Sequence, residues 1–137
     1  MLPTRFWADM TWPDFRRADM SRVIAVLPVA AIEQHGPHLP VGVDAAINEG
    51  YLRRAAEKIP EDLRVLFLPL QPVGVSGEHR EFPGTLSLSV ECAIRAWTEI
   101  GEGVARTGCR KLVIMNSHGG NVAAIEAATM TLRRPPP

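Results

Sequence analysis

The chain has 137 residues, 46% hydrophobic and 22% charged, with fifteen basic side chains against fifteen acidic ones and a formal net charge of zero. That length suits a single domain with a real core, and the balanced charge gives no electrostatic reason to expect nucleic acid or an anionic membrane as a partner. Met1 to Met20 mixes Arg, Asp and Trp without a continuous apolar stretch, so it reads as neither signal peptide nor membrane anchor, and the expected location is cytoplasmic.

Within the first twenty residues Phe6, Trp7, Trp12 and Phe15 stand among charges. This is an amphipathic lead-in, with its aromatics expected against the domain or a neighbouring subunit and with Asp14 and Asp19 as candidate helix starts. Arg22 to Val29 is a continuous apolar run, the pattern of a strand covered on both faces. From Asp44 to Ile59 the residues Ile47, Tyr51, Leu52, Ala55, Ala56 and Ile59 recur at helical spacing, and Pro60 ends that helix. Arg64 to Leu70 reads as a second buried strand.

Gln71 to Ser89 is rich in Gly, Pro and Ser and too long for a plain connector, which marks it as a functional loop. Ser89 can cap a helix through Val90, Ala93, Ile94, Trp97, Ile100 and Val104, with Gly108 at its end. Lys111 to Asn116 reads as a third buried strand and Val122 to Arg133 as a last helix. Strands alternating with helices predict an α/β fold, layered around a mainly parallel sheet, in one domain over residues 1–137. Cys92 and Cys109 are too few for a disulfide framework and read as reduced, buried and structural.

In such a sheet the loops leaving the C-terminal strand ends gather on one edge, where ligands bind. All four histidines of the chain, His35, His38, His79 and His118, lie in those three loops. The first loop adds Glu33, two residues before His35 and on the same side of an extended segment, and Asp44 follows. Such a set of carboxylates and imidazoles points to a metal site, although Asp44 also suits a helix N-cap and Asn121 another. Gly74-Val75-Ser76-Gly77-Glu78 is not a nucleophile elbow, so a serine hydrolase using Ser76 is a weak alternative. Glu78 and His79 are open to several roles: holding substrate, supporting ligands, or making loop contacts.

Three blocks together resemble the creatininase family of metal-dependent amidohydrolases: Glu33-Gln34-His35-Gly36-Pro37-His38-Leu39-Pro40 with Asp44; Gly74 to Thr85, which carries Ser76, Glu78, His79, Phe82, Pro83 and Gly84; and Asn116-Ser117-His118-Gly119-Gly120-Asn121. The resemblance implies a three-layer α/β/α fold, homo-oligomers, and one or two divalent ions, Zn²⁺ or Mn²⁺, per chain. It implies that Glu33 and His118 bind one ion, that His35 binds the other, and that Asp44 bridges them. Ser76, Glu78 and His79 then become candidates for substrate contacts, Glu78 and His79 for catalysis, and His38 and Asn121 for support behind the ligands. The implied activity is hydrolysis of a carbon-nitrogen bond in a cyclic amide, formamide or similar small amide by a metal-activated water. Family members continue beyond the third block and supply there a glutamate ligand for the second ion, or carry it two residues after the last histidine, where this chain has Gly120, so the resemblance leaves the second ion with only His35 and a shared Asp44. The expectation is therefore a truncated domain, incomplete at its C-terminus, with a metal-binding or oligomer-forming fragment without activity as the alternative. Ser117 stands where the family usually has glycine.

Overall fold

The computed structural model describes residues 2–133. A parallel three-stranded sheet lies at its centre in the order β2-β1-β3, with β1 at Ile24–Val29, β2 at Val65–Phe67 and β3 at Lys111–Asn116. The strands are in register with Ile24 opposite Val65 on one side and Lys111 on the other. Helix α1 spans Trp12–Arg17, α2 Val43–Lys58, α3 Val90–Arg106 and α4 Val122–Leu132.

Side chains of β1 alternate between faces, and this divides the core in two. Ala25, Leu27 and Val29 pack with Ala93, Trp97 and Val104 of α3 and Ala124 and Ala128 of α4. On the other face Val26 packs with Val65, Phe67 and Leu52 of α2, against Ala55, Ala56 and Ile59. The result is the α/β/α arrangement expected. Trp97, 1% exposed, anchors the larger cluster, and its truncation to alanine would cost about 3–5 kcal/mol.

Local chemistry sets the ends of these elements. Thr11 and Asp14 form a capping box at α1, and Asp19 accepts from the Ser21 N–H at the start of a short 3-10 turn. Ser89 caps α3 by accepting from the Cys92 N–H at 3.1 Å, and Gly108, with φ +93°, takes the left-handed conformation that ends this helix.

Four expectations need correction. The second strand is only Val65–Phe67. Even-numbered residues of β1 bond on that side, with Ile24 N–H donating to Arg64 and Leu68 N–H to Val26. The next of them, Pro28, has no N–H to give, and the regular ladder ends there. β3 is an edge strand, not a fully buried one: Val113 is 50% exposed, because α2 covers β1 and β2 and leaves that side of β3 open. In α2 the inward stripe is Asp44, Asn48 and Leu52, while Ile47 and Tyr51 face outward. Finally, Cys109 is buried but Cys92 is exposed on α3.

The lead-in packs as a set of short turns. Trp7 and Phe15 stack at 4.6 Å, and the Phe67 N–H donates to the Arg5 carbonyl, whereas Trp12 stays 70% exposed. Among the described residues no helix is long and apolar enough to cross a membrane.

Candidate metal centre

Three loops leave the C-terminal ends of β1, β2 and β3 and meet on one edge of the sheet. The first carries Glu33, buried beneath the second: Leu86 N–H donates to the Ile32 carbonyl, and Gln34 N–H to Thr85 Oγ1 at 3.2 Å. Glu33's own N–H is taken by the Val41 carbonyl, so this stretch folds back toward α2. Gly42, not Asp44, occupies the N-cap of α2. Asp44 lies in the first turn, and its carboxylate is free to face the loops.

Asn121 fixes the loops to one another. Its side chain accepts from the Val75 N–H at 2.8 Å and donates to the Ala30 carbonyl at 3.0 Å and to Asn116 Oδ1 at 3.1 Å. It thereby ties the loop after β1 to the loops after β2 and β3, and makes no cap at α4 despite its position. Gly74 is obligatory beside it, since a Cβ there would stand 2.2 Å from the Ala30 carbonyl oxygen. Two residues that pattern reading passed over complete the frame. Asn48 donates to the carbonyls of Val29 and Met115 at 3.0 and 3.2 Å, and Ser117 Oγ donates to the Asp44 carbonyl at 2.8 Å. A signal for Asn48 was present in the sequence: it stands one turn after Asp44, on the same helix face.

Within this frame the acceptors converge. His118 is buried, and its Nε2 lies 2.8 Å from the Val75 carbonyl oxygen, which can only accept; the proton is therefore on Nε2. Nδ1 then faces Glu33 Oε1 at 3.3 Å and Asp44 Oδ2 at 3.2 Å. His35 repeats the pattern: Nδ1–H donates to the Glu33 carbonyl at 3.0 Å, leaving Nε2 toward Asp44 Oδ1 at 3.2 Å. The bond to the Glu33 carbonyl, followed by the nearby Asp44 charge, raises the His35 pKa, with burial opposing.

Each of these nitrogen–oxygen pairs is held either by a proton on the imidazole or by a cation between the two atoms. Two ligands about 2.0–2.1 Å from a tetrahedral Zn²⁺ stand about 3.3–3.4 Å apart, close to the separations seen here. Each histidine also gives its other N–H to a backbone carbonyl, the orientation metal-binding imidazoles adopt. Glu33, His35 and Asp44 each offer a ligand atom within 4.8 Å of the others, and so do Glu33, Glu78 and His118. The donor set fits a divalent cation.

The remaining candidates sit differently. His79, on a 3-10 turn at Gly77–His79, points Nε2 at Glu33 Oε2 from 3.9 Å. Gln34 fixes its tautomer: Gln34 Oε1 accepts from the Gly36 N–H at 2.9 Å, so its amide nitrogen donates to His79 Nδ1 at 3.2 Å, leaving the proton on Nε2. Ser76 is fully buried and its Oγ lies 3.4 Å from His118 Nε2. That nitrogen already carries a proton, so it is no base for a serine nucleophile, and the buried Oγ offers no surface to a substrate. His38 is exposed in the turn after Gly36 and takes no part in the hydrogen bonds of the cluster described above.

An α/β/α domain with mixed imidazole and carboxylate donors at the C-terminal strand ends has the build of a metal-dependent hydrolase. The comparisons narrow it: the creatinine amidohydrolase (creatininase) family model matches residues 8–135, and the chain belongs to that family. It is 39% identical over 114 residues to the mycofactocin precursor peptide peptidase of Mycobacterium tuberculosis (strain CDC 1551 / Oshkosh), covering 79% of this chain and 45% of that one. It is 33% identical over 135 residues to the creatinine amidohydrolase of Pseudomonas putida, covering 93% and 50%. A solved manganese creatininase superposes with a TM-score of 0.82 at 31% identity, covering 94% of this chain and 51% of that one. The chain spans about half the length of these relatives.

Proposed function

We propose that this chain holds the metal centre of a divalent-metal-dependent amidohydrolase that cleaves the carbon-nitrogen bond of a small amide. The observation that carries the reading is Asp44, whose two carboxylate oxygens face ring nitrogens of two different histidines. In this reading Glu33 and His118 hold one ion, His35 the other, and Asp44 both. Zn²⁺ and Mn²⁺ suit the donors, and related structures include a manganese creatininase and a zinc-zinc form.

A cation bound here supplies Lewis acidity and brings the pKa of a water toward neutrality. The protein's own part is to orient and exclude. The carbonyls of Glu33 and Val75 hold the far N–H of His35 and His118, so each ring turns its other nitrogen inward. Asn121 and Asn48 hold the loops that carry them. His79 keeps a proton at Nε2 beside Glu33, on the less buried side of the centre, where it can donate to an amide or its leaving nitrogen. The relatives' names speak of a precursor peptide and of creatinine; an amide bond is common to both, and it is the substrate class proposed.

The test is metal analysis of the purified chain and of Glu33→Ala and His118→Ala, followed by assays on cyclic amides, formamides and short peptides with added Zn²⁺ or Mn²⁺. Bound metal in the unmutated chain, lost in both variants, with chelator-sensitive hydrolysis, supports the enzyme. Metal without turnover favours the rival reading of a metal-binding domain that does not catalyse. A folded unmutated chain that takes up no metal sinks both.

A further inference from the structure

We propose that Glu78 is a further ligand to the ion held by Glu33 and His118, contributed from the loop after β2. The proposal rests on the metal-centre reading above and extends it to a residue outside that ligand set.

The first observation is steric. A Cβ built on Gly120 would stand 2.4 Å from the Val75 carbonyl oxygen and 2.5 Å from His118 Nε2. The bond that orients His118 thus requires glycine at 120. Glu78 Oε1 lies 3.3 Å from that same Cβ position. The absent side chain leaves the Glu78 carboxylate beside the His118 ring.

The second observation is an orphan. Glu33 is 6% exposed, yet its Oε2 is buried without a hydrogen-bond partner, and it faces the turn that carries Glu78 and His79. A buried carboxylate oxygen left unpaired carries an uncompensated desolvation penalty. A second carboxylate at ligand distance worsens the repulsion unless a cation joins the two, and Glu33, Glu78 and His118 each offer an atom within 4.8 Å of the others.

Glu78 is exposed, but its turn is pinned. Val75 N–H bonds Asn121, Ser76 N–H donates to Ser87 Oγ at 2.8 Å, and His79 N–H returns to the Ser76 carbonyl at 3.1 Å. Closing the carboxylate onto an ion therefore needs side-chain rotation alone.

The experiment titrates the metal-free 137-residue chain with Zn²⁺ against a chromophoric chelator, and with Co²⁺ to read the visible bands set by the donor atoms. It compares the unmutated chain with Glu78→Gln, Glu33→Gln and the loop-charge control Glu81→Gln, each checked for folding by circular dichroism. Glu78→Gln is expected to weaken the tighter site by at least about tenfold, the smaller end of what even residues behind the ligands cost, and to change the Co²⁺ spectrum, while Glu81→Gln does neither. Unmutated affinity and spectrum in Glu78→Gln, with binding lost in Glu33→Gln, would overturn the proposal and leave the centre standing. Equal weakening by Glu78→Gln and Glu81→Gln, with unchanged spectra, would overturn it in favour of diffuse charge. A folded unmutated chain that binds neither ion would overturn the centre, and the proposal with it.

Discussion

The loops after β1 and β3 and the loop after β2 build the centre in opposite ways. The first two bring Glu33 and His118 in buried, and the imidazole N–H of His118 that points away from the centre is already bonded to a carbonyl. The loop after β2 brings Glu78 and His79 from partly or fully exposed positions on a short turn, with Phe82 50% exposed beyond them. One side is fixed before any ion arrives; the other can adjust around what binds. A catalytic cation needs both, a rigid ligand set and an accessible face.

The sharpest way to break that contrast is at the fixed side. Asp44→Asn is expected to abolish binding of both ions in a metal titration while leaving the metal-free chain as stable as before, or more so, because one of two crowded buried carboxylates loses its charge. His35→Ala should remove only one equivalent. If Asp44→Asn retains two ions, the bridging role fails.

The next effect lies in the frame. Asn121→Ala leaves the Val75 N–H, the Ala30 carbonyl and Asn116 Oδ1 without their partner, and is expected to destabilise the fold by about 2–4 kcal/mol, read in urea denaturation. The smallest lies on the exposed rim: His38→Ala should leave metal content unchanged and stability within about 0.5 kcal/mol. A loss of metal in His38→Ala would show that the rim reaches further into the centre than its exposure suggests.

How much of this was legible in the sequence follows from how local each feature is. Glu33, His35 and Asp44 lie within a dozen residues at a strand end, and His118 follows another strand directly, so type and spacing suffice to nominate them. Asn121 reads as a helix cap because its partners, Ala30 and Val75, lie in other loops that only the fold brings near. The third strand reads as buried because an apolar run does not say which strand is at the edge. The apolar spacing of α2 points to Ile47 and Tyr51, but the sheet end takes the polar stripe of Asp44 and Asn48 instead. Ser117 looks like a small departure from glycine, yet its hydroxyl ties the third loop to α2. Glu78 stays undecided in sequence, since its place depends on a Cβ that Gly120 lacks.

The bond from the Val75 N–H to Asn121 Oδ1 has a consequence in time as well as in space. One amide proton sits where the loops after all three strands are stitched together, so it can exchange with solvent only when that stitch opens. If the loops part before the sheet does, this proton leaves earlier than those of β1; if they part only together, it leaves with them. A single exchange rate at Val75 thus reports whether the centre opens by itself or only when the whole domain unfolds.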